Sequence, residues 1–439
     1  MRILHYGLGF PPNRTGGLVK YLFDLIDEQM VSGEQIIYLF PGKINPFFSK
    51  PRIKKNKSKS KENFEVYELI NSLPLPLFGG IKEPQKFMET VDKRIYTRFF
   101  EAIEVDVIHV HTLMGIHKEF FEAANEMQKK VVFTTHDYFG VAPEPNFFLD
   151  GLSYHNQNTV ENWIKVSKNA LSVKKLRIFQ LEHYNLIRSV IKYLKTKSIN
   201  FSKSSTDDQS DLIITSELER EFSLLKKYYL SMLYKIDFFH FNSQIAREVY
   251  LNNISIKRYG VISITSVLPK VPSKERNKIN PIKIGYIGPY KEFKGFTDFL
   301  ILLNELNDRT EFEFHAYGDD ANYNLPSKII NHGRYSKTEL LKVYENIDIL
   351  IVPSKWKETF GLIVLEAMSC GTHVVVSNNV GAKDLVEGQY IYSSIAELKE
   401  IILNINIDEI LVKKPKTIQN HTIEIKKVYE AITRETEND

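Results

Sequence analysis

The chain has 439 residues, 43% hydrophobic and 26% charged, with a formal net charge of +4. A length beyond about 250–300 residues exceeds what one core organises, so two domains are expected, and the composition excludes a disordered or fibrous chain. The charge is too small to imply nucleic acid, although it is uneven: residues 1–265 hold 36 basic and 29 acidic side chains, and the rest is net negative.

The opening MRILHYGLGF has neither the apolar stretch nor the cleavage site of a signal peptide. No apolar run reaches the roughly 18 residues of a spanning helix, so the chain reads as cytoplasmic. A single cysteine, Cys370, excludes an intramolecular disulfide and a multi-cysteine zinc site; in the run LEAMSCG it reads as a buried thiol.

In chain order, residues 2–6 read as a buried strand, and Pro11, Pro12, Gly16 and Gly17 as a loop. A helical pattern over 18–30 and a strand over 36–40 follow. Strand, glycine loop, helix and strand in that order begin a doubly wound sheet. Residues 50–61 hold seven basic side chains and no acidic one. They read as a mobile surface loop, or as a patch for anionic membrane, where each Lys or Arg contributes about 1 kcal/mol. Strands over 105–110 and 131–135 each end in a histidine-bearing polar turn. Ends of that kind gather at the ligand edge of a parallel sheet.

Residues 151–235 read as a helical, basic insertion, with Leu176, Phe179 and Ile187 among Lys174, Lys175, Arg177 and Arg188, and a polar loop at 202–210. A strand over 237–241 closes the first domain near residue 265. Three prolines and many charges make 268–281 a linker. A second alternating pattern follows, with strands at 282–287, 312–316, 347–352 and 373–377 and helices starting at 296, 337 and 362. The expected domains are therefore 1–265, 266–415 and a last helical piece, 416–439, packing back onto the first domain.

The densest signal is PSKWKETFGLIVLEAMSCGTHVVVS, residues 353–377. A strand end turns through Glu358, Thr359, Phe360 and Gly361 into a helix starting at Leu362. Bare amides and the positive dipole end at such a start favour a diphosphate, and Gly361 admits close approach. Glu366 lies too deep in the helix to cap it and suits a sugar diol, whereas Glu358 faces the other end of the ligand.

This E-x7-E segment, with its small-residue helix and V-V-V-S strand, resembles the family-four retaining glycosyltransferases of GT-B fold. The resemblance is closest over 282–390. It implies two Rossmann-like domains of α/β class around a cleft, no cofactor, and transfer of a sugar from a nucleotide-diphosphate donor to a glycan or lipid-linked acceptor, as in surface polysaccharide assembly. Gly288 and Lys294 match the family's donor loop, Lys294 reaching the diphosphate; Pro289 stands where an arginine is common, and Lys291 or Arg14 is a possible substitute. Tyr335, in the NHGRY segment, falls where the family holds the base, and Arg334 beside it is equally readable as a surface residue. Gly16 and Gly17 match its glycine loop, and His136 its sugar-contacting histidine. His109 and His111 fit a supporting role.

The expected site is thus Glu358 and His136 as catalytic groups, with Gly16, Gly17, Gly288, Lys294, Tyr335, Thr359, Phe360, Gly361, Leu362 and Glu366 around the donor. No D-x-D triplet stands where a donor metal would be held, and Asp319-Asp320 reads as a turn, so metal-independent transfer is expected. The implied partners are the donor, the acceptor, which the 151–235 insertion would shape, and the inner face of a membrane through peripheral contact. The rival readings are a noncatalytic GT-B partner subunit and another GT-B enzyme such as a nucleotide-sugar epimerase.

Overall fold

The computed structural model describes residues 1–45, 50–76, 79–180, 214–269, 281–406 and 413–434. The polar stretch at 202–210, Ile187, Arg188 and most of the expected linker lie outside them.

The first sheet is built from β1 (Arg2–Tyr6), β2 (Gln35–Pro41), β3 (Arg52–Lys55), β4 (Phe64–Ile70), β5 (Val107–Val110), β6 (Lys130–Thr135), β9 (Phe238–Phe241) and β10 (Tyr259–Val261). A small hairpin, β7 (Phe148–Leu149) and β8 (Leu152–Ser153), stands apart. The sheet runs β10-β9-β6-β5-β1-β2-β4-β3, and every pairing is parallel except β3 with β4. Runs such as Val107-Ile108-His109-Val110 are buried on both faces, as a parallel sheet covered by helices requires.

The second sheet contains β11 (Ile282–Ile287), β12 (Phe312–Tyr317), β13 (Ile329–Gly333), β14 (Ile349–Val352), β15 (His373–Ser377) and β16 (Ile391–Tyr392). Its order, β13-β12-β11-β14-β15-β16, is the doubly wound one, with the topological switch between β11 and β14. In both sheets the carboxyl ends of the strands reach the space between the two halves. Tyr6, Val110 and Thr135 lead there from one side, Ile287 and Val352 from the other.

The basic segment 50–61 is not a free loop. Arg52–Lys55 pairs antiparallel with β4 as the sheet's edge strand, its Lys54 and Lys55 exposed. Lys55 pairs with Glu65, and Lys59 stands 4.4 Å from the Phe10 ring centroid. Lysines along an edge discourage pairing with another chain, which accounts for this composition without a partner.

The helices follow as α1 (Gly17–Val31), α2 (Arg94–Ile103), α3 (Lys118–Glu126), α4 (Val160–Val166), α5 (Val173–Phe179), α6 (Ser216–Leu233), α7 (Gln244–Asn253), α8 (Phe296–Glu305), α9 (Leu340–Glu345), α10 (Leu362–Ser369), α11 (Ile395–Asn404) and α12 (Ile418–Arg434). In the insertion, Trp163 of α4 and Leu225, Tyr229 and Met232 of α6 are buried in the main cluster of the first domain. Helix α12 returns to the first domain, where Ile425, Tyr429 and Ile432 pack with Ile3, Leu22, Ile26 and Ile36. At its outer edge Lys426 pairs with the buried Glu34 at 2.6 Å.

Candidate active site in the cleft

A cavity of about 490 Å³ lies between the two sheets. From the first domain it is walled by Gly16, Gly17, Lys20 and His136, and from the second by Gly288, Lys294, Glu358, Thr359, Phe360, Gly361, Leu362 and Glu366. Tyr335 is the one expected site residue absent from this wall. It is half-buried behind the site, where burial and the nearby Glu366 push its phenol up to about 12. Arg334 is exposed, 3.9 Å from Asp319, and belongs to the surface. Asp319 accepts hydrogen bonds from the Tyr290 and Asp320 amides at 2.8 and 2.9 Å, a turn.

Two helices begin at the cavity, and neither start is closed by a side chain. Gly16 precedes α1 and Gly361 precedes α10; no side-chain cap bond is made at either. Gly361 has φ 101°, a conformation that costs an L side chain roughly 1–2 kcal/mol. The two starts adjoin, for a methyl group on Gly17 would touch the Leu362 side chain at 3.5 Å. First-turn amides have no partner within their helix, so both dipoles present positive ends to one space.

The turn before α10 is pinned on both sides. The Glu358 backbone carbonyl accepts from the Gly381 amide at 2.9 Å, and the Phe360 carbonyl from the Ala382 amide at 2.7 Å. Across the cleft the Thr359 hydroxyl donates to the His136 carbonyl at 2.8 Å, and the Ser243 hydroxyl donates to the Thr359 carbonyl at 2.6 Å. The loop is thus set by both domains at once.

The charged groups are paired within the site. Lys294 Nζ lies 2.6 Å from Glu358 Oε1 and 5.3 Å from the Trp356 ring centroid, and Glu358 also accepts from the Ser354 hydroxyl. Glu366 accepts from the Tyr344 hydroxyl at 3.1 Å, and its burial raises the carboxyl pKa while nearby Lys20 opposes that. Lys20 donates to Asp24 at 3.0 Å and to the Val267 carbonyl at 2.9 Å. Neither Arg14 nor Lys291 lines the cavity, so Lys20 and Lys294 are the cations of its wall. Sequence reasoning missed Lys20 and Trp356. The signal available for Lys20 was its place in the first turn of the helix after Gly16-Gly17. Burial lowers His136 to about 3, so its ring is neutral.

Two doubly wound domains with their strand ends facing one cleft, and two uncapped helix starts opening on it, define the class of fold, GT-B. Residues 269–413 match the family model described as Glycosyl transferases group 1. Among curated proteins, an uncharacterized 42.6 kDa protein in the cps region of Klebsiella pneumoniae is 23% identical over 319 residues, 70% of this chain and 67% of that protein. The N,N'-diacetylbacillosaminyl-diphospho-undecaprenol alpha-1,3-N-acetylgalactosaminyltransferase of Campylobacter jejuni is 26% identical over 192 residues, 38% of this chain and half of that enzyme. Among solved structures, a glycosyltransferase from Rickettsia africae superposes with a TM-score of 0.53 at 14% identity, covering 98% of each chain. Anabaena HepE in complex with UDP-glucose gives 0.51 at 13% identity, covering 100% of this chain and 99% of that one. At such identities the structural likeness establishes the fold, the GT-B arrangement over the whole chain.

Proposed function

We propose that the chain is a retaining, metal-independent glycosyltransferase that moves a sugar from a nucleoside-diphosphate donor to a glycan or lipid-linked acceptor in surface polysaccharide assembly. The carrying observation is the convergence of two uncapped helix starts, at Gly16 and Gly361, on a cavity flanked by Glu358 and Glu366. Donor phosphates bind there, and Glu366, facing the cavity from inside α10, accepts bonds from the nucleoside diol. The cps-region relative and the lipid-linked substrate in the Campylobacter enzyme's name support the acceptor class.

As the glycosidic bond to the donor breaks, negative charge grows on the leaving phosphate. The α1 and α10 amides and the Lys294 ammonium are placed to stabilise it as preorganised electrostatics. Lys294 moves from Glu358 toward the phosphate, and the freed carboxylate stabilises the positive anomeric centre. The leaving phosphate takes the acceptor proton on the same face, which preserves the anomeric configuration without a separate base. Lys294 and the helix starts supply the charge that a metal supplies elsewhere, so no cofactor is required.

The test uses the purified full chain with a panel of nucleotide sugars, first screened by thermal stabilisation. Acceptor-dependent release of nucleoside diphosphate, with a product of the donor's anomeric configuration by NMR, is the expected result. Donor turnover without acceptor would favour an epimerase, and donor binding without turnover a partner subunit. Activity unchanged in excess chelator is expected as well; loss reversed by magnesium or manganese would overturn metal independence.

A further inference from the structure

Beneath His136 the core of the first domain holds a continuous string of polar side chains. His136 Nε2 lies 3.4 Å from His111 Nδ1, and His111 Nε2 lies 3.0 Å from His5 Nδ1. His5 Nε2 then meets Gln29 Oε1 at 2.8 Å, and Gln29 Nε2 reaches the Tyr429 hydroxyl at 3.3 Å. Tyr429 is 2.6 Å from His109 Nδ1, His109 Nε2 is 2.6 Å from Thr134 Oγ1, and Thr134 is 2.8 Å from His240 Nδ1. The string ends where His240 Nε2 meets the Ile262 carbonyl at 2.7 Å.

That last contact sets the direction of the others. A carbonyl only accepts, so His240 carries its proton on Nε2, and as a neutral ring it accepts at Nδ1 from the Thr134 hydroxyl. Thr134 has one proton to give, so it accepts from His109 Nε2, and His109 Nδ1 accepts from Tyr429. Tyr429 in turn accepts from the Gln29 amide. Gln29 Oε1 accepts from His5 Nε2, His5 Nδ1 from His111 Nε2, and His111 Nδ1 from His136 Nε2. Reversing Gln29 would turn the Tyr429 and His109 bonds around and leave Thr134 with two acceptors for one proton. One assignment satisfies every contact.

We propose that this one-directional hydrogen-bond chain, anchored at the Ile262 carbonyl, fixes His136 as its Nε2–H tautomer and leaves Nδ1 as an acceptor for a donor-sugar hydroxyl. Tyr429, on the C-terminal helix, is then a positioning residue that acts on the cleft through the core. Burial keeps the rings neutral, with His5 lowered to about 4 and His136 and His240 to about 3. The ligand atoms of His5, His109 and His111 lie within 4.8 Å of one another, a spacing that would suit a metal. Every ring nitrogen of the three already has a protein partner, however, which the chain of bonds explains and a metal does not.

The role at the sugar rests on the function proposed above; the tautomers do not, and they are read independently of activity. In the full chain labelled with ¹⁵N-histidine, ring-nitrogen NMR should show His5, His109, His111, His136 and His240 all protonated at Nε2 alone. Tyr429→Phe should leave His240 and His109 so, because Ile262 and Thr134 still direct them, while His5, His111 and His136 become tautomer mixtures. Thr134→Val, a second break nearer the anchor, should release His109 as well. Wild-type His136 protonated at Nδ1, zinc-shifted nitrogens at His5, His109 and His111, or unchanged tautomers in both variants would each overturn the chain. In transfer assays Tyr429→Phe should lower kcat/KM for the donor about tenfold, but less than about twofold in a His136→Ala background. Equal losses in both backgrounds would refute action through His136 while leaving the transferase reading intact.

Discussion

Glu358 and Glu366 are both carboxylates at the cavity, yet their surroundings differ. Glu358 is bound to a cation, Lys294 at 2.6 Å, and takes a hydroxyl from Ser354, so its charge is held ready and can be released when Lys294 turns to a phosphate. Glu366 has one neutral partner, Tyr344, and is buried. A group of that kind gains most by accepting bonds from a ligand, since hydrogen bonds to a charged group contribute about 1.5–3 kcal/mol. Glu366→Ala should therefore weaken donor affinity roughly tenfold to a hundredfold, read by calorimetry, with a smaller change in kcat. Glu358→Gln keeps the shape and removes the charge, and kcat should fall on the order of a hundredfold with donor affinity nearly kept. Unchanged kinetics in both variants would remove the site assignment.

At the scale of elements, the second domain depends on close backbone approaches that only glycine permits. Gly295, between Lys294 and α8, has φ 72°, and a methyl group there would stand 1.6 Å from the Pro353 carbonyl oxygen. Gly295→Ala should cost roughly 2–4 kcal/mol and displace Lys294, whereas Gly371→Ala, at φ 71° with open space around it, should cost about 1 kcal/mol. Urea midpoints of the two variants compare them directly; equal losses would show that φ alone matters. Elements of this domain were legible because β11 and β14 are largely apolar runs ending at a glycine or a proline, and β15 carries the apolar run Val374-Val375-Val376. In the first domain, the charged side chains of Arg52–Lys55 hid an edge strand that only pairing with β4 reveals. Most positions that wall the cavity were likewise readable, from one dense segment, a few glycines, Lys294 and His136, whereas Tyr335 was expected in the wall and does not line it. Lys20 and Trp356 were not, because each acquires its place from the other half of the fold. Tyr429 lies 320 residues from the His109 it touches, and no local pattern records that contact.

Across the whole molecule, the first domain encloses an unusual number of neutral histidines, and this sets how stability responds to acid. Burial lowers His5 and His155 to about 4, His117, His136 and His240 to about 3, and His109 and His111 well below their ordinary value. The unfolded chain protonates these rings below about 6.5 and the native fold does not, so their contribution is complete above that pH and is lost as the pH falls from there toward 4. For His5 alone the full loss is on the order of 3 kcal/mol. Several carboxyls of this domain, Glu119 among them, act in the opposite sense. Burial raises Asp137 and Glu144 to about 7, so the native fold keeps protons the unfolded chain releases, and their contribution is lost as the pH rises from about 4 toward 7. Between those limits the histidines outnumber the carboxyls, and the net slope follows them. The unfolding midpoint of the first domain should change little from pH 8 to 7 and fall steadily from 7 to 5. Fluorescence of Trp163, buried in that domain, reports it once Trp356, the second of the two tryptophans, is replaced by phenylalanine. A midpoint that stayed level to pH 5 and fell only in the ordinary carboxylate range would show that the histidine core takes up protons without unfolding, and the neutral hydrogen-bond chain to His136 would fail with it.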